Sequence, residues 1–207
     1  QNAFESAFTA LLAGIPVRAG YPTDLRGPLL TIKIPLTTEI REKHQVFYYL
    51  GITDFIRQHF GAPVNGRSDT PDCSVSLSDD SVTAAKELLG THAPTDRPLF
   101  CLCPGSVNSE AKRWPADYFA RLADLLATHY GAKVVFLGAR EEQPLIDGII
   151  SQTQRREAMN LAGRTDLIGS MAVMRVSDMV VSNDTGSAHM AVAAGSTVLT
   201  VFGPTSV

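Results

Sequence analysis

The residues best suited to chemistry lie in short polar stretches of the second half of the chain. The densest is Asn183-Asp184-Thr185-Gly186-Ser187-Ala188-His189, which follows the apolar pair Val180-Val181 and runs into Ala-rich sequence. This pattern predicts a strand, a polar turn and a helix. Asn183, Asp184 and Thr185 are all good N-cap types, and Gly186 lets a ligand approach the backbone. At the carboxyl end of a parallel strand, such a turn aims unbonded N–H groups and a positive helix end at one point. That arrangement suits an anion, most often a phosphate. Asp184 and His189 add side chains that an anion cradle alone does not need. An isolated turn of this kind is an ordinary capped connection; its weight comes from other polar loops that end strands in the same half.

The loop Cys103 to Pro115 contains Pro104-Gly105-Ser106 and then Lys112-Arg113-Trp114-Pro115. Pro115 suits the first turn of a helix, so Lys112 and Arg113 stand just before a helix N-terminus. Two cations beside a positive helix end repel one another unless an anion joins them, and a diphosphate serves. The bland alternative is a basic pair on the surface. Gly138-Ala139-Arg140-Glu141-Glu142 places acids at a helix start. On its own this reads as capping, although nucleotide sites also set a carboxylate on ribose hydroxyls in this way. In Gly163-Arg164-Thr165-Asp166, Asp166 caps the next helix, and Gly163 and Arg164 face the same cleft unless the stretch is a simple turn.

The elements that must position these loops follow from periodicity. From Leu99 onward, apolar strands alternate with helices: strands at 99–103, 133–138, 158–161, 178–182 and 197–202, with helices at 115–130, 142–152, 166–175 and 185–194. Fully apolar strands separated by helices predict a parallel sheet covered on both faces, with ligands at the carboxyl ends of its strands. Earlier, apolar spacing predicts helices at 4–13 and 41–60, the latter with Val46, Phe47, Leu50 and Phe55 inward, and a further helix capped by Ser78. The Gly-, Pro- and Ser-rich stretch 61–78 suits a crossing between domains, so the expected division is 1–75 and 76–207. A chain of 207 residues accommodates one full domain and part of a second. It begins at Gln1, on a helix without partner strands, and is expected to be an internal fragment. A hydrophobic content of 44% with 19% charged residues fits a globular protein, and a net charge of −3 argues against nucleic acid as the main partner. No apolar run has the length of a membrane span. Cys101 and Cys103 fall in an apolar strand and read as buried thiols of a reducing compartment rather than zinc ligands. His44, His59, His92 and His129 show no ligand spacing, so no metal is expected.

Taken as a set, these loops resemble glycosyltransferase family 9, the heptosyltransferases of lipopolysaccharide assembly. The resemblance is carried by Pro104-Gly105-Ser106, Ala111-Lys112-Arg113-Trp114-Pro115, Gly138-Ala139-Arg140-Glu141-Glu142, Asn160-Leu161-Ala162-Gly163, Asn183 to His189 and Val201-Phe202-Gly203-Pro204-Thr205. The opening segment, including Gly14-Ile15-Pro16-Val17-Arg18-Ala19-Gly20-Tyr21, is a weaker match to the end of the family's acceptor domain. The motif wording is closest to the type that adds the second heptose. The resemblance implies an α/β fold of GT-B type, with a Rossmann-like donor domain at 76–207 and the remnant of an acceptor domain at 1–75. It implies inverting transfer from ADP-L-glycero-β-D-manno-heptose to an inner-core heptose on lipid A, without cofactor or metal. It further implies a cytoplasmic protein, open to peripheral association with the inner membrane.

Carried over by position, Lys112 neutralises the departing diphosphate, Glu142 holds the ribose and Thr165 sits by the adenine. Asp184 takes sugar hydroxyls, while Thr185 and Gly186 take the diphosphate. Ser106, Arg164, Ser187 and His189 complete the donor set. The family's catalytic base lies near its N-terminus, in sequence with no counterpart here, so none is named. A nucleotide-sugar epimerase of the same fold and a non-catalytic nucleotide-binding module remain as alternatives.

Overall fold

In the computed structural model, residues 4–63, 72–93, 95–106, 113–154 and 157–203 are described. The chain divides into two units, Gln1–Asp72 and Cys73–Val207.

The first unit holds helix α1 (Phe4–Leu12), a two-stranded parallel ladder of β1 (Ala19–Gly20) and β2 (Ile32–Lys33), and helices α2 (Thr38–Glu42) and α3 (Gln45–His59). The helix expected over 41–60 forms as α3, while Arg41 and Glu42 close α2 instead. Lys43 is extended (ψ 162°), and His44 starts the second helix by accepting the Val46 N–H at its Nδ1, 3.3 Å away. A side chain that competes for a backbone donor breaks the helix there. Val46, Phe47, Leu50 and Phe55 are half-buried rather than core. The buried centre is instead Tyr21 and Ile34, with Tyr21 donating to the Tyr48 carbonyl at 3.0 Å and its ring tilted at 43° against the Tyr48 ring.

The second unit carries α4 (Asp79–Leu89), β3 (Leu99–Cys103), α5 (Ala116–Tyr130), β4 (Lys133–Phe136), α6 (Gln143–Gln152), β5 (Met159–Asn160), α7 (Leu167–Val176), β6 (Met179–Asn183), α8 (Gly186–Ala193) and β7 (Val198–Val201). Its five strands run parallel in the order β5-β4-β3-β6-β7. The expected strand-helix alternation is what forms, and the expected strand at 158–161 shortens to two paired residues. Ser78 caps α4 by accepting the Ser81 N–H at 3.2 Å.

At β3, β4 and β6 both faces of the sheet are covered, and strand side chains alternate between them. Leu99, Cys101 and Cys103 of β3 pack with Val135, Val180 and residues of α4, α7 and α8. Leu102 points the other way, onto Phe119 and Ala120 of α5 and Ile146 and Ile149 of α6. This placement explains the cysteines. A hydrogen bond to Cys103, and then burial, hold the Cys101 thiol well above its usual pKa. Among the described residues no helix is long and apolar enough to cross a membrane.

Candidate functional site

Strands β3 and β6 are neighbours in the sheet although β4 and β5 separate them in the chain. After β3 the chain builds outward to one side; at β6 it returns and builds to the other. Such a switch point leaves a crevice at the carboxyl ends of the two strands, where ligands of open α/β sheets bind. Here a cleft of about 340 Å³ opens there. Its lining comes from the loop after β3 (Gly105, Ser106), the loop after β4 (Leu137 to Ala139, Glu142), the start of α7 (Thr165 to Leu167) and the start of α8 (Thr185 to Ser187).

Each wall has a local cause. α8 begins at Gly186 after Thr185, which is extended (φ −144°, ψ 177°) and makes no side-chain cap. The first N–H groups of a helix have no intrahelical partner, so those of Gly186 and Ser187 stand at the cleft with the positive helix end behind them. Gly186 is exposed, and a Cβ built on it meets no protein atom within 4 Å. The fold itself therefore does not demand glycine at this position.

Glu142 turns back over its own helix start. Its Oε2 accepts the Ala139 N–H at 2.8 Å. The carboxylate lies so close over Gly105 that a Cβ there would overlap it. Glycine at 105 is thus a close-approach requirement of the Glu142 side chain. Asp166 caps α7 by accepting the Gly169 N–H at 2.7 Å, as expected. The loops after β4 and β5 are tied by Gly163 N–H to the Gly138 carbonyl at 3.0 Å. Gly163 has φ +68°, and a Cβ there would stand 2.9 Å from the Arg140 Cα. Thr165 and Ser170 share a hydroxyl hydrogen bond of 2.7 Å. Leu137, Met174 and Met190 add apolar lining.

The polar inventory is uneven. Among the described lining residues there are two carboxylates, Glu142 and Asp166, and no Lys or Arg. Among the described residues no group of three His, Cys, Asp or Glu stands together to hold a metal ion. The cleft offers hydroxyls, helix N-termini and one carboxylate turned over the Gly105 backbone. This set suits an anion at one end and a diol at the other.

The sequence profile of glycosyltransferase family 9 (heptosyltransferase) matches residues 1–207. The chain belongs to that family. Lipooligosaccharide heptosyltransferase 2 of Haemophilus influenzae is 28% identical over 99% of this chain and 59% of its own length. Lipopolysaccharide heptosyltransferase 2 of Escherichia coli K12 is 27% identical over 99% of this chain and 58% of its own. The solved structure of E. coli ADP-heptose lipopolysaccharide heptosyltransferase II superposes with a TM-score of 0.77 at 26% identity, covering all of this chain and 62% of that one. The chain therefore spans about three fifths of the length of these relatives. Its α/β architecture, with the parallel sheet, is that of the GT-B heptosyltransferases.

Within this family 9 cleft, the structure brings together Ser106, Glu142, Thr165, Thr185, Gly186 and Ser187. Arg164 and His189 are exposed, and Asp184 is half-buried with its N–H on the Val201 carbonyl at 3.2 Å; none of the three is a lining residue. Lys112 lies outside the described residues. Arg113, expected beside it as a second anion-facing cation, instead donates from Nη2 to the Ser106 carbonyl at 2.8 Å. Asn183 has a different place from the one its type suggests. It is the last residue of β6 rather than a cap, fully buried, with its amide bonded to the loop after β3. No short-range signal marks that role, because its partners are 69 and 79 positions away.

Proposed function

We propose that this chain contributes the donor site of an inverting heptosyltransferase. The enzyme moves heptose from ADP-L-glycero-β-D-manno-heptose to an inner-core heptose on lipid A. The observation that supports this most directly is the cleft at the switch point between β3 and β6. It joins a helix N-terminus with an uncovered glycine to a carboxylate two loops away. The likeness to E. coli ADP-heptose heptosyltransferase II supports the choice of donor.

The uneven polarity gives the ligand a direction. A diphosphate is repelled by Glu142 and attracted by the α8 N-terminus, so it lies against Thr185, Gly186 and Ser187. Glu142 then receives the ribose hydroxyls as a charged acceptor, and the adenine falls toward Thr165. Heptose extends past α8, where Asp184 accepts from its hydroxyls. In the transfer step an acceptor hydroxyl oxygen attacks the anomeric carbon on the face opposite the phosphate. The bond from that carbon to phosphate oxygen breaks, ADP leaves with the electron pair, and the acceptor proton passes to a base. Lys112 and the α8 dipole stabilise the charge that grows on ADP. In this reading 76–207 is the donor domain and 1–75 belongs to the acceptor side. The reaction runs in the cytoplasm, where the inner face of the membrane presents the lipid-linked acceptor.

Calorimetric titration with ADP-heptose and ADP tests the reading. Both ligands bind the wild-type chain, and Gly186→Val abolishes both heats while the chain stays folded. Absence of binding to the wild type, or undiminished binding to Gly186→Val, overturns it. Heptose-labelled donor converted to an epimer, with no glycosidic product, points to the epimerase instead.

A further inference from the structure

The side chain of Asn183 is fully buried at the end of β6. Its Oδ1 accepts the Trp114 N–H at 3.0 Å, and its Nδ2 donates to the Pro104 carbonyl at 2.8 Å and more weakly to the Gly105 carbonyl at 3.4 Å. One amide thus faces one donor and two acceptors, a pattern that only an acceptor and an NH2 on a single short side chain satisfy. The three partners flank one loop: Pro104 and Gly105 lead out of β3, and Trp114 leads into α5. Arg113 ties the same flanks once more through the Ser106 carbonyl. Trp114 is itself seated edge-on against Phe119, with ring centroids 5.1 Å apart.

We propose that Asn183 is a positioning residue for the donor site. It fastens the Pro104–Ser106 wall to the strand end from which Thr185 and Gly186 emerge. The inference rests on the donor reading above. Two cleft walls built from distant parts of the chain keep their separation through this amide before any ligand arrives. Fixing that separation in advance lowers the ordering cost of binding a group that spans both walls. ADP spans them, with its ribose at Glu142 over Gly105 and its diphosphate at the start of α8; adenosine alone reaches only the first. Removing the amide therefore weakens ADP selectively.

Asn183→Asp keeps the shape and the acceptor for Trp114 but sets a carboxylate against two carbonyl oxygens. Burial and those oxygens both raise its pKa. Above that pKa the charged form repels the wall; below it, the protonated form donates an O–H to Pro104 and restores the tie. Titration of ADP and adenosine into the wild type and Asn183→Asp, from pH 5 to pH 8, reads this out. At pH 8 ADP affinity falls about ten- to a hundredfold against the wild type at the same pH, while adenosine changes less than about twofold. On acidification the ADP deficit narrows. If circular dichroism shows Asn183→Asp unfolded, Asn183→Ser carries the ADP-against-adenosine comparison. Equal losses for ADP and adenosine make Asn183 a general support of the fold and overturn the proposal, as does a variant that binds ADP like the wild type. A wild-type chain that ignores ADP overturns the donor reading itself.

Discussion

Adding one methyl group at Gly105 is expected to damage the site through a residue 37 positions away. A Cβ at 105 would overlap the carboxylate of Glu142, the far end of a flexible side chain, whose atoms are its three nearest neighbours. The least costly response is for Glu142 to swing aside, leaving the sheet and its helices in place. Two interactions go with it. The carboxylate bond to the Ala139 N–H, 2.8 Å long, closes a helix start. Losing a cap of this kind costs about 0.5–2 kcal/mol, a drop of roughly 2–4 °C in Tm per kcal/mol at this chain length. The second loss appears only on binding. A hydrogen bond from a ribose hydroxyl to a charged acceptor contributes about 1.5–3 kcal/mol, so ADP affinity falls roughly 12- to 160-fold.

Calorimetry on Gly105→Ala with ADP and with 2′,3′-dideoxy-ADP separates these effects, since the dideoxy ligand has no hydroxyl for Glu142 to accept from. Its affinity is expected to stay within about twofold. The cycle with Glu142→Ala adds a second check: in that background the methyl group has nothing to displace, and Gly105→Ala becomes silent for ADP. Equal losses for both ligands, or a Gly105→Ala effect that survives in Glu142→Ala, would refute the reasoning. Either result would mean that the methyl group acts on the loop backbone and not on the carboxylate.

Gly186→Val is expected to hold stability within about 0.5 kcal/mol of the wild type, because its Cβ enters open space; a melting curve beside the titrations checks this, and an unfolded variant would show that the cleft floor needs glycine for folding. In a full-length parent enzyme, Lys112→Ala lowers kcat for heptose transfer by roughly 2.7–4 kcal/mol of barrier and leaves donor KM nearly unchanged, while the 207-residue chain alone transfers no heptose; a raised KM with intact kcat would make Lys112 a plain binding residue. At pH 8 iodoacetamide labels the exposed Cys73 of the native chain but not Cys101, whose raised pKa keeps it a thiol and whose strand is buried, nor the buried Cys103; unfolding brings labelling to all three cysteines, and a second rapid label on native protein would contradict the strand placement.

Much of the second unit was legible because its rules are local. A run such as Leu99-Phe100-Cys101-Leu102-Cys103 is apolar at every position, which only a strand covered on both faces accommodates. Ser78 and Asp166 each sit three residues before the N–H they accept, a spacing that can be read directly. The opening unit was less legible for the same reason. Its buried centre depends on Tyr21 reaching Tyr48, 27 positions on, while α3 shows no buried face at all. Periodicity over 41–60 therefore suggested a packed helix where α3 starts at Gln45 and buries its apolar residues only in part.

The site divides along the same line. Thr185, Gly186 and Ser187 belong to a turn whose chemistry is written within a few residues, and the cleft contains them. Asn183 stands next to that turn and shares its residue type, so a local rule assigns it a cap. Its amide goes elsewhere because β3 lies beside β6 in the sheet, with Ser182 paired to Cys103. That adjacency is a property of strand order, and strand order is set by crossover connections far outside any short window. Gly105 follows the same logic: its want of a side chain answers to Glu142, which reaches it only after β4 has paired with β3. The residues that shape this cleft are thus of two kinds. Those of the turn that opens α8 are legible from spacing; those that tie its walls together emerge only when the order of the strands is known.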